Sequence, residues 1–433
     1  MRTNTRNTNT LRTHEGASTV MMSPLAALRR SVLSCMLFED EFYEDGIAIA
    51  DRIRDLARDV RAQDVAALAI EAREDMNLRH VPLLLTVAVI DKRLGREFDT
   101  ASLIERVCKR ADEPGELLAI YWMGGRRTIP AAMKRGLARA MRNFDRYQLA
   151  KYDRKTSVKM RDILRLTHPK PANSDMESRF GDLLRGELEA ADTWETSLSS
   201  GADKKASFER LISEGRLGYL ALLRNLRGMD EAGVSGQMIR EAILARKGAH
   251  NVLPFRYVAA ARAAPRYEPQ LDEALSRSVE SMPILEGETI VLVDVSASMN
   301  ERLSGKSDLT RLDAAATLAS VIHGNVRVFT FSNDVVEVAP RRGMAGVESI
   351  RNSQPRMGTW LGKAVERVSR LPHDRLIVIT DEQSHDTVGS AKVEKAYMIN
   401  VASSERAVGF GPWTRISGFS EKVLDWIRIK EME

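Results

Sequence analysis

Apolar residues recur at every third or fourth position between residues 24 and about 279, which is the spacing of amphipathic helices. One such series runs through Ile47, Ala50, Ile53, Leu56 and Ala57. Short polar or Gly/Pro-containing segments divide the pattern into helices of roughly ten to eighteen residues, without one long heptad. The pattern predicts an all-α stack of HEAT-like helix pairs, although no fixed sequence period is visible.

A different pattern begins after Gly287. Residues 289–293 form a β-branched apolar run that ends at Asp294, as in a buried parallel strand. Further strand patterns at residues 326–331, 375–379 and 396–401 alternate with helical patterns at residues 311–322, 359–368 and 421–427. This alternation predicts a doubly wound α/β domain over residues 288–433, preceded by a flexible arm over residues 1–20 and a helical domain over residues 21–285.

The composition is that of a soluble multidomain protein: 433 residues, 43% hydrophobic and 29% charged. There is no apolar run of about eighteen residues, and the first thirteen residues lack the apolar core of a signal peptide. We therefore expect a cytoplasmic protein without a membrane partner. The chain has two cysteines, Cys35 and Cys108, in apolar helical patterns, which favours reduced, buried thiols over a disulfide or a metal site.

Positive charge is concentrated between residues 126 and 170. This segment holds fourteen Lys or Arg against three Asp, an excess of eleven, whereas the whole chain has a net charge of +5. On a helix, Arg135, Arg139, Arg142 and Arg146 share one face at three- and four-residue steps, as expected of a stripe that follows a nucleic-acid backbone. We predict RNA or another polyanion as the ligand, and no DNA.

Two alternatives stand beside this interpretation. A charged helix face is often merely solvated, although here there are too few acidic residues to pair the basic ones. Aromatic residues in or beside the segment could stack on bases, but each is more often a core residue at helical spacing. They are Tyr121, Trp122, Phe144, Tyr147 and Tyr152.

Oxygen donors follow the strand patterns of the α/β domain. They are Asp294, Ser296, Ser298, Thr359 and Asp381. Since ligands of doubly wound sheets bind at the carboxyl ends of the strands, these residues could hold one octahedral cation, most simply Mg²⁺, with Mn²⁺ or Ca²⁺ as alternatives. The competing structural interpretation is helix capping, because Ser and Asp commonly cap the helix that follows a strand.

An enzymatic interpretation lacks its chemical groups. None of the seven histidines lies in a recognisable catalytic motif, and the chain has neither a GxxxxGK[ST] phosphate loop nor an HExxH motif. His373 and His385 flank the strand before Asp381 and are predicted as surface-loop residues. We therefore predict that the protein is not an enzyme, and a metal-dependent phosphohydrolase is the less favoured alternative.

Two family resemblances follow from these motifs. The oxygen donors resemble the metal-ion-dependent adhesion site of von Willebrand factor A domains, with Ala297 where related proteins usually have Gly and Trp360 where a small or polar residue is common. The segments KYDRK (151–155) and DILRLTHPKP (162–171) resemble the central signature of TROVE-domain proteins of the Ro autoantigen family. The segments GGRR (124–127), YLALLRNL (219–226) and PFR (254–256) agree with it.

This resemblance implies a ring of HEAT-like repeats closed by the A domain. It further implies that single-stranded 3′ ends of misfolded noncoding RNA enter the central hole and that small Y-type RNAs bind the basic outer surface. Lys151, Lys155 and His168 match family residues implicated in RNA binding, although Lys155 replaces the usual Arg. We add Arg126, Arg127 and Arg165 from the basic segment to this predicted site, and bacterial relatives imply an exoribonuclease as a partner.

Two functions therefore compete. The first is an RNA-binding scaffold for quality control or maturation of noncoding RNA, carried by residues 126–170. The second is a protein-interaction scaffold whose A-domain metal captures a partner carboxylate, with RNA binding incidental. The two sites lie in different predicted domains, so both functions can coexist.

Overall fold

The computed structural model describes residues 12–13, 15–19, 22–32, 46–76, 78–93, 98–153, 156–189, 191, 194, 196, 203–249, 252–280, 284–303, 309–402, 407–417 and 422–432. The described residues fall into two compact units. The helical unit comprises residues 50–218 and 228–239. The sheet unit comprises residues 1–49, 219–227 and 240–433. Lys155 and Cys35 lie outside the described residues.

Helices account for the described structure before residue 281. They are α1 (Pro24–Val32), α2 (Gly46–Asp59), α3 (Ala62–Glu74), α4 (His80–Asp91), α5 (Thr100–Val107), α6 (Glu113–Tyr121), α7 (Ala131–Arg142), α8 (Arg146–Tyr152), α9 (Met160–Thr167), α10 (Ser174–Arg185), α11 (Lys204–Ser213), α12 (Tyr219–Glu231), α13 (Gly236–Ala245), α14 (Phe255–Ala263) and α15 (Glu268–Glu280). A short 3₁₀ turn, Pro265–Tyr267, precedes α15.

Polar side chains mark where several of these helices begin. Asp99 accepts hydrogen bonds from the N–H groups of Ala101 and Ser102 at the start of α5, and Asn173 does the same for Met176 in α10. Asp145 forms a capping box at the start of α8. These side chains satisfy N–H groups that have no partner within the helix, and so they fix where the chain turns.

The helical unit stacks its helices in two layers. Helix α3 packs against α5, α5 against α7 and α7 against α9, whereas α4 packs against α6. The contact between α5 and α7 is close, because a Cβ at Gly136 would lie 2.7 Å from the Cβ of Ile104 and 3.0 Å from the Cα of Ala101. This alternation of consecutive helices is the predicted HEAT-like arrangement.

The sheet unit contains the predicted strands. They are β1 (Ile284–Asp294), β2 (His323–Phe331), β3 (Val335–Val338), β4 (Arg375–Thr380), β5 (Lys395–Asn400) and β6 (Thr414–Ser417). The strand order is β3-β2-β1-β4-β5-β6, and every neighbouring pair is parallel except β2 and β3. The order changes direction between β1 and β4, so the carboxyl ends of these two strands form the switch point of a doubly wound sheet.

Helices cover both faces of this sheet. The helices after β1 are α16 (Arg311–Val321), α17 (Gly343–Arg351), α18 (Leu361–Val368) and α19 (Lys422–Met432), with a 3₁₀ turn at Ala297–Asn300. Helix α16 is buried along its whole length and packs against β1 and α17. Helix α18 packs on the opposite face, where Leu361, Ala364 and Val368 join the core formed by Ile290, Leu292, Leu376 and Val378.

The N-terminal segment packs on the sheet unit. The Thr13 hydroxyl donates to the carbonyl of Ser384 over 2.8 Å, and α1 packs against β6. The Nη1 of Arg30 lies 2.6 Å from the Oε1 of Glu382, and both side chains are buried. Residues 12–13 and 15–19 of the predicted flexible arm are therefore held by the sheet unit, while its other residues lie outside the described ranges.

The units also differ from the predicted division near residues 285–288. Helices α14 and α15 belong to the sheet unit, because Asp272 accepts a hydrogen bond of 2.8 Å from the N–H of Met344 and Arg262 pairs with Glu348 over 2.5 Å. A change in composition marks where strands begin, but it does not show which helices pack on them.

The fold class is confirmed: a helical region precedes a doubly wound α/β sheet. Three short elements were not predicted, namely β3, β6 and α17, because four-residue strands and a glycine-containing helix give little periodicity. Cys108 is a buried thiol whose pKa is raised by burial, as expected. None of the helices within the described ranges has the length and apolarity needed to cross a membrane.

Candidate nucleic-acid interface and metal centre

Helix α7 separates its apolar and basic side chains onto opposite faces. Its buried face consists of Met133, Gly136, Leu137, Ala140 and Met141. Its exposed basic residues are Lys134, Arg135, Arg139 and Arg142. No acidic residue occurs in α7, so the whole outward face is positively charged.

Most of this charge is not neutralised by neighbours. The Nη1 of Arg139 lies 3.4 Å from the Oδ2 of Asp99, while Arg135 and Arg142 have no ion-pair partner within the described residues. Arg146, the fourth member of the predicted stripe, differs: its Nη1 lies 2.5 Å from Asp182 of α10. The structure thus confirms a shared face for three arginines and ties the fourth to a neighbouring helix.

The end of α9 presents two further residues of the predicted site. Arg165 and His168 are exposed, and α9 packs against α7. His168 adopts a left-handed backbone conformation with φ 46°, and its N–H donates to the carbonyl of Leu164 over 2.9 Å. The predicted helix-terminal turn at His168 is confirmed, and Pro169 disfavours a helical conformation in the residue before it.

Lys151 is half-buried among aromatic rings. Its Nζ lies 5.8 Å from the ring centre of Tyr147 and 5.7 Å from that of Tyr152. Tyr147 is 50% exposed and open to stacking, whereas Phe144 is 2% exposed and belongs to the core. Tyr147 therefore fits the interpretation as a stacking residue, and Phe144 fits the interpretation as a core residue.

Arg126 and Arg127 lie in the loop after α6, and both are exposed. The Cζ of Arg127 lies 3.7 Å from the ring centre of Tyr121, and the Cζ of Arg126 lies 5.2 Å from that of Trp122. Each guanidinium is thus held against an aromatic ring in a cation–π contact.

In the sheet unit, three loops bring the predicted oxygen donors to the switch point. The N–H of Ala297 donates to the carbonyl of Met357 over 3.1 Å, which joins the loop after β1 to the loop before α18. The N–H of His385 donates to the carbonyl of Thr359 over 2.9 Å, which joins the loop after β4 to the loop before α18. The paired strands β1 and β4 place Asp294 and Asp381 at adjacent strand ends.

Both carboxylates are completely buried. Asp294 accepts hydrogen bonds from the N–H of Ser296 over 2.9 Å and from the hydroxyl of Thr380 over 2.7 Å. The hydroxyl oxygens of Ser296 and Ser298 lie 3.4 Å apart. Ser296 and Thr359 are buried and Ser298 is half-buried, so the donors are enclosed.

Burial and mutual repulsion control the ionisation of this pair. Burial, followed by the charge of Asp381, raises the pKa of Asp294 to about 7. Burial also raises the pKa of Asp381, while the hydroxyl of Ser298 and the charge of Arg311 oppose that shift. A cation between two such carboxylates would favour their charged forms.

The donor set fits a hard divalent cation. The Oδ2 of Asp381 is buried and accepts no hydrogen bond within the described structure, and two carboxylates with three hydroxyls are ligands that Mg²⁺ prefers. No group of three His, Cys, Asp or Glu side chains with metal-binding geometry occurs in the described ranges, so hydroxyls are needed to complete any such site. Metal binding stays a prediction.

Sequence reasoning missed Arg311. Its Nη1 lies 3.5 Å from the Oδ2 of Asp381, and the side chain is 1% exposed at the start of the buried helix α16. The available signal was an arginine at the start of an alanine-rich helix in which most of the other residues are apolar. Thr380 was also missed, although it directly precedes Asp381 and donates to Asp294.

Residues 177–282 match the family model described as TROVE domain. Residues 177–282 of this chain are therefore similar in sequence to a TROVE domain. This match covers about a quarter of the chain and includes the predicted segments 219–226 and 254–256, whereas the segment 151–171 lies outside it.

Two relatives accompany the TROVE match. Over 99 residues, or 22% of this chain, the sequence is 30% identical to telomerase protein component 1 of Rattus norvegicus, of which it spans 4%. The structure is similar to that of the Ro (RSR) protein of Deinococcus radiodurans, with a TM-score of 0.66 and 17% identity over 93% of this chain and 100% of that chain. The second likeness shows the fold that the two chains share.

Proposed function

We propose that this protein binds noncoding RNA as a ribonucleoprotein scaffold, through the basic face of its helical unit. The observation that carries the proposal is the exposed face of α7, where Arg135 and Arg142 have no ion-pair partner in the described part of the chain. When unpaired cations of the protein neutralise RNA phosphates, the counterions condensed on the RNA are released, which makes association favourable and sensitive to salt.

The second element of the proposed interface is the end of α9. Arg165 and His168 are exposed on α9, which packs against α7, and the exposed ring of Tyr147 beside Lys151 offers a face for base stacking. Arg126, Arg127 and Lys155 complete the proposed set. The finer proposal is that Y-type RNA binds this outer surface and that single-stranded 3′ ends of misfolded RNA bind in a central hole, with an exoribonuclease as partner and the cytoplasm as location.

The test is RNA binding at several salt concentrations, using a structured RNA with a single-stranded 3′ tail. We expect Arg135→Gln/Arg139→Gln/Arg142→Gln to weaken binding and to flatten its salt dependence, because about 0.7 to 0.9 of a counterion is released per phosphate contact. The matched control removes three exposed arginines that are already paired with carboxylates, Arg106, Arg185 and Arg210. Equal effects of the two triple variants would contradict the assignment to α7.

A second triple variant, Lys151→Ala/Lys155→Ala/His168→Ala, tests the segment 151–171. Loss of tail-dependent binding supports the proposed site. Unaltered binding moves the RNA to another part of the basic surface, and absence of RNA binding by the wild type contradicts the proposal altogether.

We further propose a divalent cation, most simply Mg²⁺, with Mn²⁺ or Ca²⁺ as alternatives, bound by Asp294, Ser296, Ser298, Thr359 and Asp381. The buried carboxylate pair supports it. Since this set leaves a coordination position open, a carboxylate of a protein partner could complete it, which is the alternative scaffold function. A rise in unfolding temperature with MgCl₂ but not with NaCl of equal ionic strength would support metal binding.

A further inference from the structure

A cavity of about 670 Å³ opens on the helical unit where the carboxyl ends of α2, α4 and α6 meet. Its volume lies within the range of sites that take small molecules. The loop after α6 forms one side of the opening. This cavity is separate from α7 in sequence, and its residues on α2 and α4 were not singled out by the charge pattern.

Apolar side chains form the walls. Ala57 of α2, Leu84 and Val87 of α4 and Ile120 of α6 line the cavity, and the first three are buried. On the side of the loop, Gly124 and Gly125 line it without side chains, and a Cβ at either position would meet no atom within 4 Å. The cavity can therefore enclose an apolar, flat group.

Positive charge surrounds the opening. Arg54, Arg58, Lys92 and Arg127 line the cavity, against Asp91 as the one acidic lining residue. Lys92 donates to the carbonyl of Arg58 over 2.8 Å, and its positive charge stabilises the carboxyl end of α2.

The arginines at the opening already have exposed partners. The Nη1 of Arg54 lies 2.6 Å from Asp51, and the Nη1 of Arg58 lies 2.8 Å from Asp55, on the preceding turn of the same helix. Exposed ion pairs of this kind contribute little, so the guanidinium groups can turn to a stronger anion such as a phosphate.

The guanidinium of Arg127 is held in one orientation. The Cζ of Arg127 lies 3.7 Å from the ring centre of Tyr121, its Nε donates to the carbonyl of Tyr121 over 3.1 Å, and its Nη2 lies 2.7 Å from Asp91. Three contacts fix the orientation of the guanidinium. Planar guanidinium groups stack on nucleobases, so this arrangement offers a ready-made surface for a base.

We propose that this cavity binds one nucleotide of a single-stranded RNA segment. The base lies against the apolar wall and stacks on the Arg127 guanidinium, while its phosphate pairs with Arg54 and Arg58. A nucleotide has a flat ring that fits the apolar walls and an anionic phosphate that fits the basic residues at the opening. The inference rests on the proposed RNA-binding function and adds a specific site to it.

Gly124→Phe tests the site without removing charge. Because Gly124 faces open space and its φ is outside the left-handed region, the phenyl ring can fill the cavity without straining the backbone. We expect about tenfold weaker binding of single-stranded RNA at an unchanged salt dependence, since base stacking is lost and phosphate contacts elsewhere remain. The matched control is Gly218→Phe, at an exposed glycine that also faces open space.

Arg127→Lys provides a second variant, which keeps the charge but removes the planar group. Calorimetric titrations with uridine and adenosine 5′-monophosphates, with ribose 5-phosphate as the base-free probe, complete the experiment. We expect the mononucleotides to bind about tenfold more tightly than ribose 5-phosphate, and Gly124→Phe and Arg127→Lys to abolish that difference.

The outcomes separate this inference from the function on which it rests. If the wild type binds RNA and Gly124→Phe binds it equally well, the nucleotide site is overturned and the surface of α7 remains. If ribose 5-phosphate binds as tightly as the mononucleotides, the cavity is only an anion site. If the wild type binds no RNA, the proposed function and the nucleotide site both fail.

Discussion

The Nη1 of Arg311 lies 3.5 Å from the Oδ2 of Asp381, and both side chains are buried at the switch point of the sheet. The protein thus places one positive charge of its own beside two buried carboxylates. An internal cation of this kind lowers the electrostatic cost of the pair when no metal is bound, and it competes with a metal for Asp381.

Arg311→Met should therefore make the protein more dependent on a divalent cation. In EDTA we expect a loss of about 3 kcal/mol in the free energy of unfolding of the sheet unit, because the buried carboxylates lose their counter-charge. Saturating MgCl₂ should restore more stability to the variant than it adds to the wild type, as measured by the unfolding temperature. Equal magnesium effects on both proteins would show that Arg311 does not act on the site.

Asp294→Asn should have the opposite effect. The substitution removes a buried charge that also repels Asp381, so we expect the metal-free protein to keep or gain stability. The rise in unfolding temperature with MgCl₂ should disappear. The control is Asp334→Asn, an exposed aspartate at the turn between β2 and β3, which should leave the magnesium effect intact. A magnesium effect that survives in Asp294→Asn would place the cation elsewhere.

His168→Gly separates a structural from a binding role. Glycine adopts the left-handed conformation at this helix end more readily than histidine, so we expect stability to be unchanged or raised by about 1 kcal/mol. If the imidazole contacts RNA, affinity falls despite the intact fold. His168→Asn, which also tolerates this conformation, is the matched variant. Full RNA affinity in both variants would remove His168 from the proposed interface.

Glu431 on α19 should give the sheet unit an acid-labile ion pair. Burial raises the pKa of this carboxyl, but hydrogen bonds from Arg375, Tyr397 and Lys395 outweigh it and lower the pKa to about 2. The carboxylate therefore stabilises the fold above its unfolded pKa of about 4.5, and this contribution is lost as the pH falls toward 2.

Glu431→Gln is the corresponding variant. At neutral pH we expect a loss of about 2 kcal/mol, because the buried guanidinium of Arg375 loses its charge-assisted hydrogen bonds to the carboxylate. Urea unfolding at a series of pH values measures the difference from the wild type, which should shrink between pH values of about 4.5 and 2. A constant difference across this range would contradict the assigned role.

The sequence predicted those features that depend on local pattern. The apolar runs before Asp294 and Asp381 indicate where each strand ends. Because ligands of doubly wound sheets bind at the carboxyl ends of the strands, the two carboxylates are then expected to lie together. The face of α7 follows in the same way from three- and four-residue spacing. In both cases a short local pattern is enough to place the side chains.

Features that depend on distant parts of the chain were not predicted. Arg146 belongs to the same sequence stripe as Arg142, yet only the packing of α8 on α10 shows that Asp182 neutralises it. Arg311 looks like an ordinary helix residue until β4 lies beside β1. The cavity likewise requires three helix ends to meet, and no spacing in the sequence indicates this.

The ion pair between Arg30 and Glu382 joins residues that are 352 positions apart. At a synthesis rate of about 5–20 residues per second, helix α1 waits roughly 18–70 s on the ribosome before its partner is made. During that interval, the residues of α1 that end up buried, Leu28 and Val32 among them, have no sheet to cover them. The growing chain therefore carries a helix whose buried face stays uncovered for most of its translation.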